Sequence, residues 1–217
     1  MATFQINLLV DSLLARYLVD YAAPGILFYS DRLVQLPMAL FGIALSTVLF
    51  VALSQRAAAG DTDGFRATLF QGLRGVLVVT VPAAAGLVAL RTPIVSLIFG
   101  SGKFGPEEVR RASLALLCYS PGVWIFSCQH IVLRAFNSMH DTRTPVRVSM
   151  AMVGLNFVLN VLFVLGSGWL LGYRSEAGLA LATAVAGGVQ LVVLLAILLR
   201  RIGTDGFGGV VLTLVKT

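Results

Sequence analysis

The chain has 217 residues, of which 58% are hydrophobic and only 12% charged, with a mean hydropathy of +0.90. This excludes an ordinary soluble domain, whose surface must be polar, and makes the chain a polytopic membrane protein of the all-α class. The net charge of +6 is not a nucleic-acid signature, because the arginines stand singly or in pairs between apolar tracts, where basic residues flank spans and set topology.

In chain order, the first span is predicted over Phe4 to Ala22, without a basic leader ahead of it, and the second over Pro24 to Leu53. A polar loop, Ser54 to Phe65, follows. The third span runs from Leu69 to Leu90 and contains Pro82. Between Arg91 and Glu108, the apolar stretch Ile94 to Phe99 is too short to cross and is predicted to lie at the interface. Pro106 suits a first helical turn, and Glu107 and Glu108 suit the positive end of the helix that follows. The fourth span is predicted over Val109 to Phe136, with Pro121 inside it.

After a polar loop at Asn137 to Thr144, Thr144-Pro145 has the form of a helix start, with Thr as N-cap and Pro at the first helical position. The fifth span is predicted over Val146 to Leu165. A glycine-rich turn, Gly166 to Glu176, carries the interface-loving Trp169 and Tyr173. The sixth span covers Ala177 to Leu199. It has small residues at helical spacing, Gly178, Ala182 and Ala186 on one face and Ala180, Ala184 and Gly188 on another, which let helices approach closely. The expected organisation is a transmembrane lobe of about six helices over 1–202, then the start of a further helix over 203–217.

Loops after the even-numbered spans carry Arg56, Arg66, Arg134, Arg143, Arg147, Arg200 and Arg201. The opposite loops carry Arg91, Lys103, Arg110, Arg111 and Arg174. The modest excess places the even-numbered exits in the cytoplasm. Pro37, Pro82 and Pro121 each remove a backbone hydrogen bond and are candidate kink sites.

Ionisable and amide groups within apolar spans are the candidates for function. Asp11 lies mid-span in INLLVDSLLA and must face the bundle interior, as a cation or proton site or as a structural hydrogen-bond partner. Asn156 and Asn160 are four apart and share a helix face. They either pair with another helix or offer carbonyl oxygens to a hard cation together with Asp11. Asp31 and Arg32 stand at the head of the uncharged tract Leu33 to Gln55, either as interfacial anchors or facing a cavity, where Arg32 would bind an anion. Gln35, one turn on, extends a polar stripe.

Cys118 and Cys128 are predicted to be buried thiols. His130 is predicted to be a bundle histidine, and His140-Asp141 a solvated loop pair. No metal-ligand spacing, nucleophile elbow or phosphate-binding glycine loop is present, so the sequence specifies no enzyme.

Four segments together carry a family resemblance: QINLLVDSLLA at 5–15, FYSDRLVQLPMALFGIALSTVLFVALS at 28–54, DTRTPV at 141–146 and GLALAT at 178–183. In these the chain resembles the lipid II flippase family MurJ/MviN of the multidrug/oligosaccharidyl-lipid/polysaccharide exporter superfamily. The resemblance covers the second lobe of a two-lobed transporter and implies an N-terminal lobe as partner.

It implies that Arg32 contacts the diphosphate of the undecaprenyl-linked peptidoglycan precursor, with Asp31 as its acidic neighbour and Gln35 where some members have an acid. It also implies a sodium site at Asp11, Asn156, Asn160 and Thr183, with Asn160 in place of a possible carboxylate. The implied setting is the bacterial cytoplasmic (inner) membrane, with membrane lipids as surroundings and alternating access as mechanism. A cation-coupled multidrug exporter, or an exporter of another lipid-linked oligosaccharide, is the alternative within the same superfamily.

Overall fold

The computed structural model describes residues 9–100, 104–171 and 175–217, with the backbone alone over 167–171. The described residues are helical throughout, with short connections. Helix α1 covers 9–19 and ends in a π-helical turn, Ala15–Val19. Helix α2 is Ala23–Ala58, α3 is Thr62–Ala89 and α4 is Arg91–Phe99. Helices α5 (Pro106–Tyr119) and α6 (Gly122–Ser138) are followed by α7 (Arg143–Leu171), α8 (Glu176–Ile202) and α9 (Gly208–Lys216).

Four of these, α2, α3, α7 (over Arg143–Gly166) and α8, are long and apolar enough to cross a membrane, and the bent pair α5–α6 makes a fifth candidate. The all-α polytopic bundle is therefore the observed class. The expected Trp169 and Tyr173 side chains, like Lys103 and Arg174, lie outside the described residues.

The helix ends follow their caps. Asp61 accepts from the Gly64 amide at 2.8 Å and starts α3, so the predicted 54–65 loop shrinks to a tight connection. Gly60 adopts a positive φ there. Pro106 occupies the first turn of α5 with Glu107 and Glu108, as expected.

Helix α7 begins at Arg143, and its cap is Asp141 rather than Thr144. The Asp141 carboxylate accepts from the Thr144 amide at 3.0 Å and from its hydroxyl at 2.6 Å. Asp141 also pairs with Arg201 at 2.6 Å, so the residue expected to be solvated ties α7 to the end of α8. Helix α7 continues to Leu171, beyond the predicted end of the fifth span.

The three span prolines act differently. Pro82 is absorbed within α3. Pro37 is followed by a π-helical stretch, Met38–Ile43, and α2 runs on through it to Ala58. Pro121 interrupts the fourth span, and α5 and α6 meet there at 42°.

Helix α6 is central and packs against α2, α3 and α8, while α8 also packs against α5 and α7. Two apolar clusters fill the bundle. Leu53, Leu69, Leu73, Ile131, Phe136, Leu194 and Leu198 form one. Ala23, Ile26, Val95, Ala112, Leu116 and Leu179 form the other. The small residues of α8 serve close approach as predicted: Gly178, Ala180, Ala182, Ala184 and Ala186 are all buried, and a Cβ at Gly178 would meet the Phe163 backbone at 3.0 Å.

Candidate functional site

The polar cluster is assembled from three helices. Asp11 on α1 is 7% exposed, and Asn156 and Asn160 on α7 are 1% and 0% exposed. Asn160 Nδ2 donates to Asp11 Oδ1 at 2.6 Å and to Asn156 Oδ1 at 3.0 Å. The Thr183 hydroxyl on α8 lies 3.2 Å from Asp11 Oδ2 and 3.1 Å from the Leu179 carbonyl and shares its one proton between these two acceptors. Asn156 Nδ2 lies 3.5 Å from Thr183 Oγ1. All four residues singled out in the sequence therefore meet. The i, i+4 spacing of the asparagines puts both amides on the α7 face that looks at α1 and α8.

One atom of this cluster is left over. Asn160 Oδ1 is buried without a hydrogen-bond partner among the described residues. An orphaned buried carbonyl is costly and calls for an occupant or a rearrangement. The donor set is one carboxylate, two amide carbonyls and a hydroxyl, all hard oxygen ligands. Half a turn of the Asn160 terminal amide would aim its oxygen at the same point as the Asp11 carboxylate, the arrangement a small cation favours. The residues present therefore fit a hard cation. No group of three His, Cys, Asp or Glu side chains suited to a metal occurs among the described residues.

The second polar group lies on α2. Asp31 and Arg32 do not pair directly; Gln35 joins them. Its Oε1 accepts from Arg32 Nη1 at 3.1 Å while its Nε2 donates to Asp31 Oδ2. The Arg32 guanidinium packs over the Phe28 ring at 4.8 Å. Asp31 is half-buried and Arg32 is exposed, on a face shared with the exposed Leu36 and Leu40. The bridge engages Nη1 and the ring backs the guanidinium, whose planar fork has further N–H groups that suit bidentate contact with an anion.

A third polar group escaped the sequence reading. Arg111 on α5 donates from Nε and Nη2 to the two carboxylate oxygens of Glu176 at 2.9 and 2.8 Å. Its Nη1 reaches Asp20 Oδ2 at 2.9 Å. Asp20 Oδ1 in turn accepts from the Ala22 and Ala23 amides at 2.9 and 2.8 Å and caps α2. Arg111 was counted only as a topology-setting charge. The cap pattern Ser175-Glu176 was the available signal, but partners 65 residues apart leave no spacing to read.

His130 is half-buried on α6, Cys128 is buried and Cys118 half-buried. His140 occupies the α6–α7 connection with φ 57°. At that end, Asp141 is held well below the usual carboxylate range, at about 2, by hydrogen bonds from the Thr144 hydroxyl and amide and then from Arg201. Asp61 is likewise held down, first by the Gly64 amide and then by Arg56.

Known proteins resemble this chain in sequence and fold. The family model for the lipid II flippase MurJ matches residues 1–217. A probable lipid II flippase MurJ of Vibrio cholerae serotype O1 is 38% identical over 190 residues, covering 88% of this chain and 35% of that protein. A probable lipid II flippase MurJ of Thermotoga maritima is 33% identical over 187 residues, covering 86% of this chain and 37% of that protein. A solved structure titled lipid II flippase MurJ, inward closed conformation, superposes with a TM-score of 0.81 at 27% identity, over 99% of this chain and 43% of that one. The chain spans about a third of the length of these curated relatives. It belongs to the lipid II flippase MurJ family.

Proposed function

We propose that this chain is the substrate- and ion-handling part of a lipid II flippase of the bacterial cytoplasmic membrane. It would move the diphosphate headgroup of an undecaprenyl-linked peptidoglycan precursor across the bilayer by alternating access, for cell-wall synthesis. The observation that carries this reading is Arg32: an exposed guanidinium on an apolar helix, oriented by Gln35 and Phe28 with its fork open. A charge in that setting is retained for a ligand, and a planar fork matches a diphosphate. Asp31 and Gln35 hold Arg32 in place. The other half of the cavity would come from an N-terminal lobe as partner, and the lipid tail would stay in the bilayer with the membrane lipids.

Asp11, Asn156, Asn160 and Thr183 would hold a sodium ion, which when bound supplies a positive charge that offsets the Asp11 carboxylate. The protein's own part is to bring α1, α7 and α8 together at one point, so that seating the carboxylate and packing the three helices become one event. The oxygen cluster also suits a cation-coupled drug exporter of the same superfamily, but a cationic drug would be repelled by Arg32. The transport role is that of a carrier, without a covalent step.

The test is Arg32→Ala in the intact protein, assayed for flipping of the lipid-linked precursor in vesicles. Loss of flipping with an unchanged melting temperature is expected. Full retained activity overturns the diphosphate role.

A further inference from the structure

Arg111 touches the ends of the same two helices that meet inside the bundle at the polar cluster. Asp20 lies nine residues beyond Asp11 at the end of α1, and Glu176 lies seven residues before Thr183 at the start of α8. Arg111 binds both, Glu176 bidentately at 2.9 and 2.8 Å and Asp20 at 2.9 Å. One turn-crossing clasp and one part-buried contact, Thr183 to Asp11 at 3.2 Å, thus span the same α1–α8 pair.

The two arms of the clasp differ. The Glu176 side chain is 3% exposed and is fixed by two charge-assisted hydrogen bonds, whereas the Asp20 side chain is 47% exposed and holds Arg111 through one oxygen. Between Asp11 and Asp20 the helix is wound as a π-turn over Ala15–Val19, and the Asp20 amide closes that turn on the Ala15 carbonyl at 3.2 Å. Such turns occur as single insertions, often at functional sites, and the surrounding contacts hold this one in place. The outer end of helix α1 is therefore seated by apolar packing of Ala15, Leu14, Leu18 and Val19, and its polar tie to α5 and α8 is this half-exposed ion pair.

From this geometry we propose that Arg111 is a positioning residue for the Asp11 cluster: it fixes the seat of α1 against α8, and with it the reach of Asp11 to Asn160 and Thr183. The Asp11 contacts tolerate little displacement, because a hydrogen bond of 2.6 or 3.2 Å is lost within about 1 Å of movement. The consequence for ion handling rests on the cation reading given above. A ligand that requires the seated Asp11 also favours the closed clasp, and the closed clasp favours that ligand by the same factor.

The experiment uses the full-length protein with Asp20→Asn and Arg111→Lys. Asp20→Asn keeps an oxygen for the Ala22 and Ala23 amides and removes only the charge facing Arg111, so the α2 cap survives. Two quantities are read. The first is the spin-label distance between α1 and α8, with labels at the exposed Leu13 and Val185. The second is the sodium concentration that gives half of the thermal stabilisation.

Both variants should broaden and lengthen the distance distribution. Asp20→Asn should raise the sodium midpoint roughly two- to fivefold, the range expected from an exposed ion pair. A purely structural clasp would lower the melting temperature equally with and without sodium, leave the midpoint and distance unchanged, and overturn the proposal. If the wild-type protein shows no sodium response, the cation reading fails and the distance alone decides: broadening in both variants sustains the positioning role, and an unchanged distribution overturns it.

Discussion

Asp11 and Asn160 meet at 2.6 Å across 149 residues of chain, and the amide reaches the carboxylate with its nitrogen while its oxygen stays buried without a partner. The contact is stable as a hydrogen bond, yet it is arranged to be exchanged: turning the amide replaces a donor by an acceptor at the same point. A bound cation, or a proton on Asp11, would make that second arrangement favourable.

Asn160→Asp tests this directly. Two carboxylates at this separation repel when both are charged, so the variant should melt well below the wild type in sodium-free buffer. Adding sodium should recover most of the loss, because a second anionic oxygen strengthens the hold on a hard cation. The predicted result is a larger sodium-induced rise in melting temperature than in wild type. An equally large loss at all sodium concentrations would show the cluster to be purely structural.

Gly42 reports the packing of α2 on α6. A Cβ built there would lie 2.6 Å from Ser127 Oγ and 2.9 Å from Ser127 Cα, and the second atom is backbone that has little room to retreat. Gly42→Ala should therefore destabilise by about 1–3 kcal/mol through overpacking. Gly154→Ala on α7 is the control. Nothing lies within 4 Å of a Cβ at that position, so the change should be neutral or stabilise by up to about 1 kcal/mol from helix propensity. Equal effects in denaturation melts would contradict the close approach of α2 and α6.

Much of this was legible from residue type and period. Hydropathy marks the spans because each must satisfy its backbone internally. A carboxylate and two amides in hydrocarbon have to meet partners, so cost alone required partners for Asp11, Asn156 and Asn160, and their meeting one another was one of the two readings that spacing left open. Thr183 was not visible in that way, since a threonine in a span can bond its own helix, as it does to Leu179; only the family resemblance pointed to it.

What composition and spacing left hidden was long-range pairing. Arg111 with Glu176 and Arg201 with Asp141 join residues 65 and 60 apart, and their apparent role from sequence was to flank spans. Whether a proline kinks was hidden too. Pro82 lies between Val81 and Ala83, whereas Pro121 lies between Ser120 and Gly122, which weaken the helix further, and only the second opens into a 42° bend.

Asp141 gives a pH signature. Its folded pKa of about 2 lies below the 3.8 of the unfolded chain. Its contribution is therefore complete above about pH 4 and is lost as the pH falls through about 2. Because the pair with Arg201 is near the surface, solvent screening limits that contribution to about 1 kcal/mol or less. Asp141→Asn should lower the melting temperature at pH 6 by a small amount, and the gap to wild type should narrow as the pH falls below about 4 and close only below about 2. Acid effects on other carboxylates, such as Asp61, are common to both proteins and cancel in the difference. A gap that widened on acidification would contradict the assigned pairing.

The Arg111–Glu176 pair separates stability from positioning. Glu176 is almost fully enclosed, so Arg111→Met leaves a buried carboxylate without its partner and should cost about 3–5 kcal/mol. Adding Glu176→Leu removes the stranded charge, and an apolar pair of similar volume often matches or exceeds the stability of the ion pair it replaces. The double variant should then recover most of the loss, a coupling that a double-mutant cycle in chemical denaturation would measure. Asp20 still lacks its cation in that protein, so α1 is not reseated. Restored melting temperature together with a persistently raised sodium midpoint would mark the clasp as setting where Asp11 stands, independently of how firmly the bundle holds together.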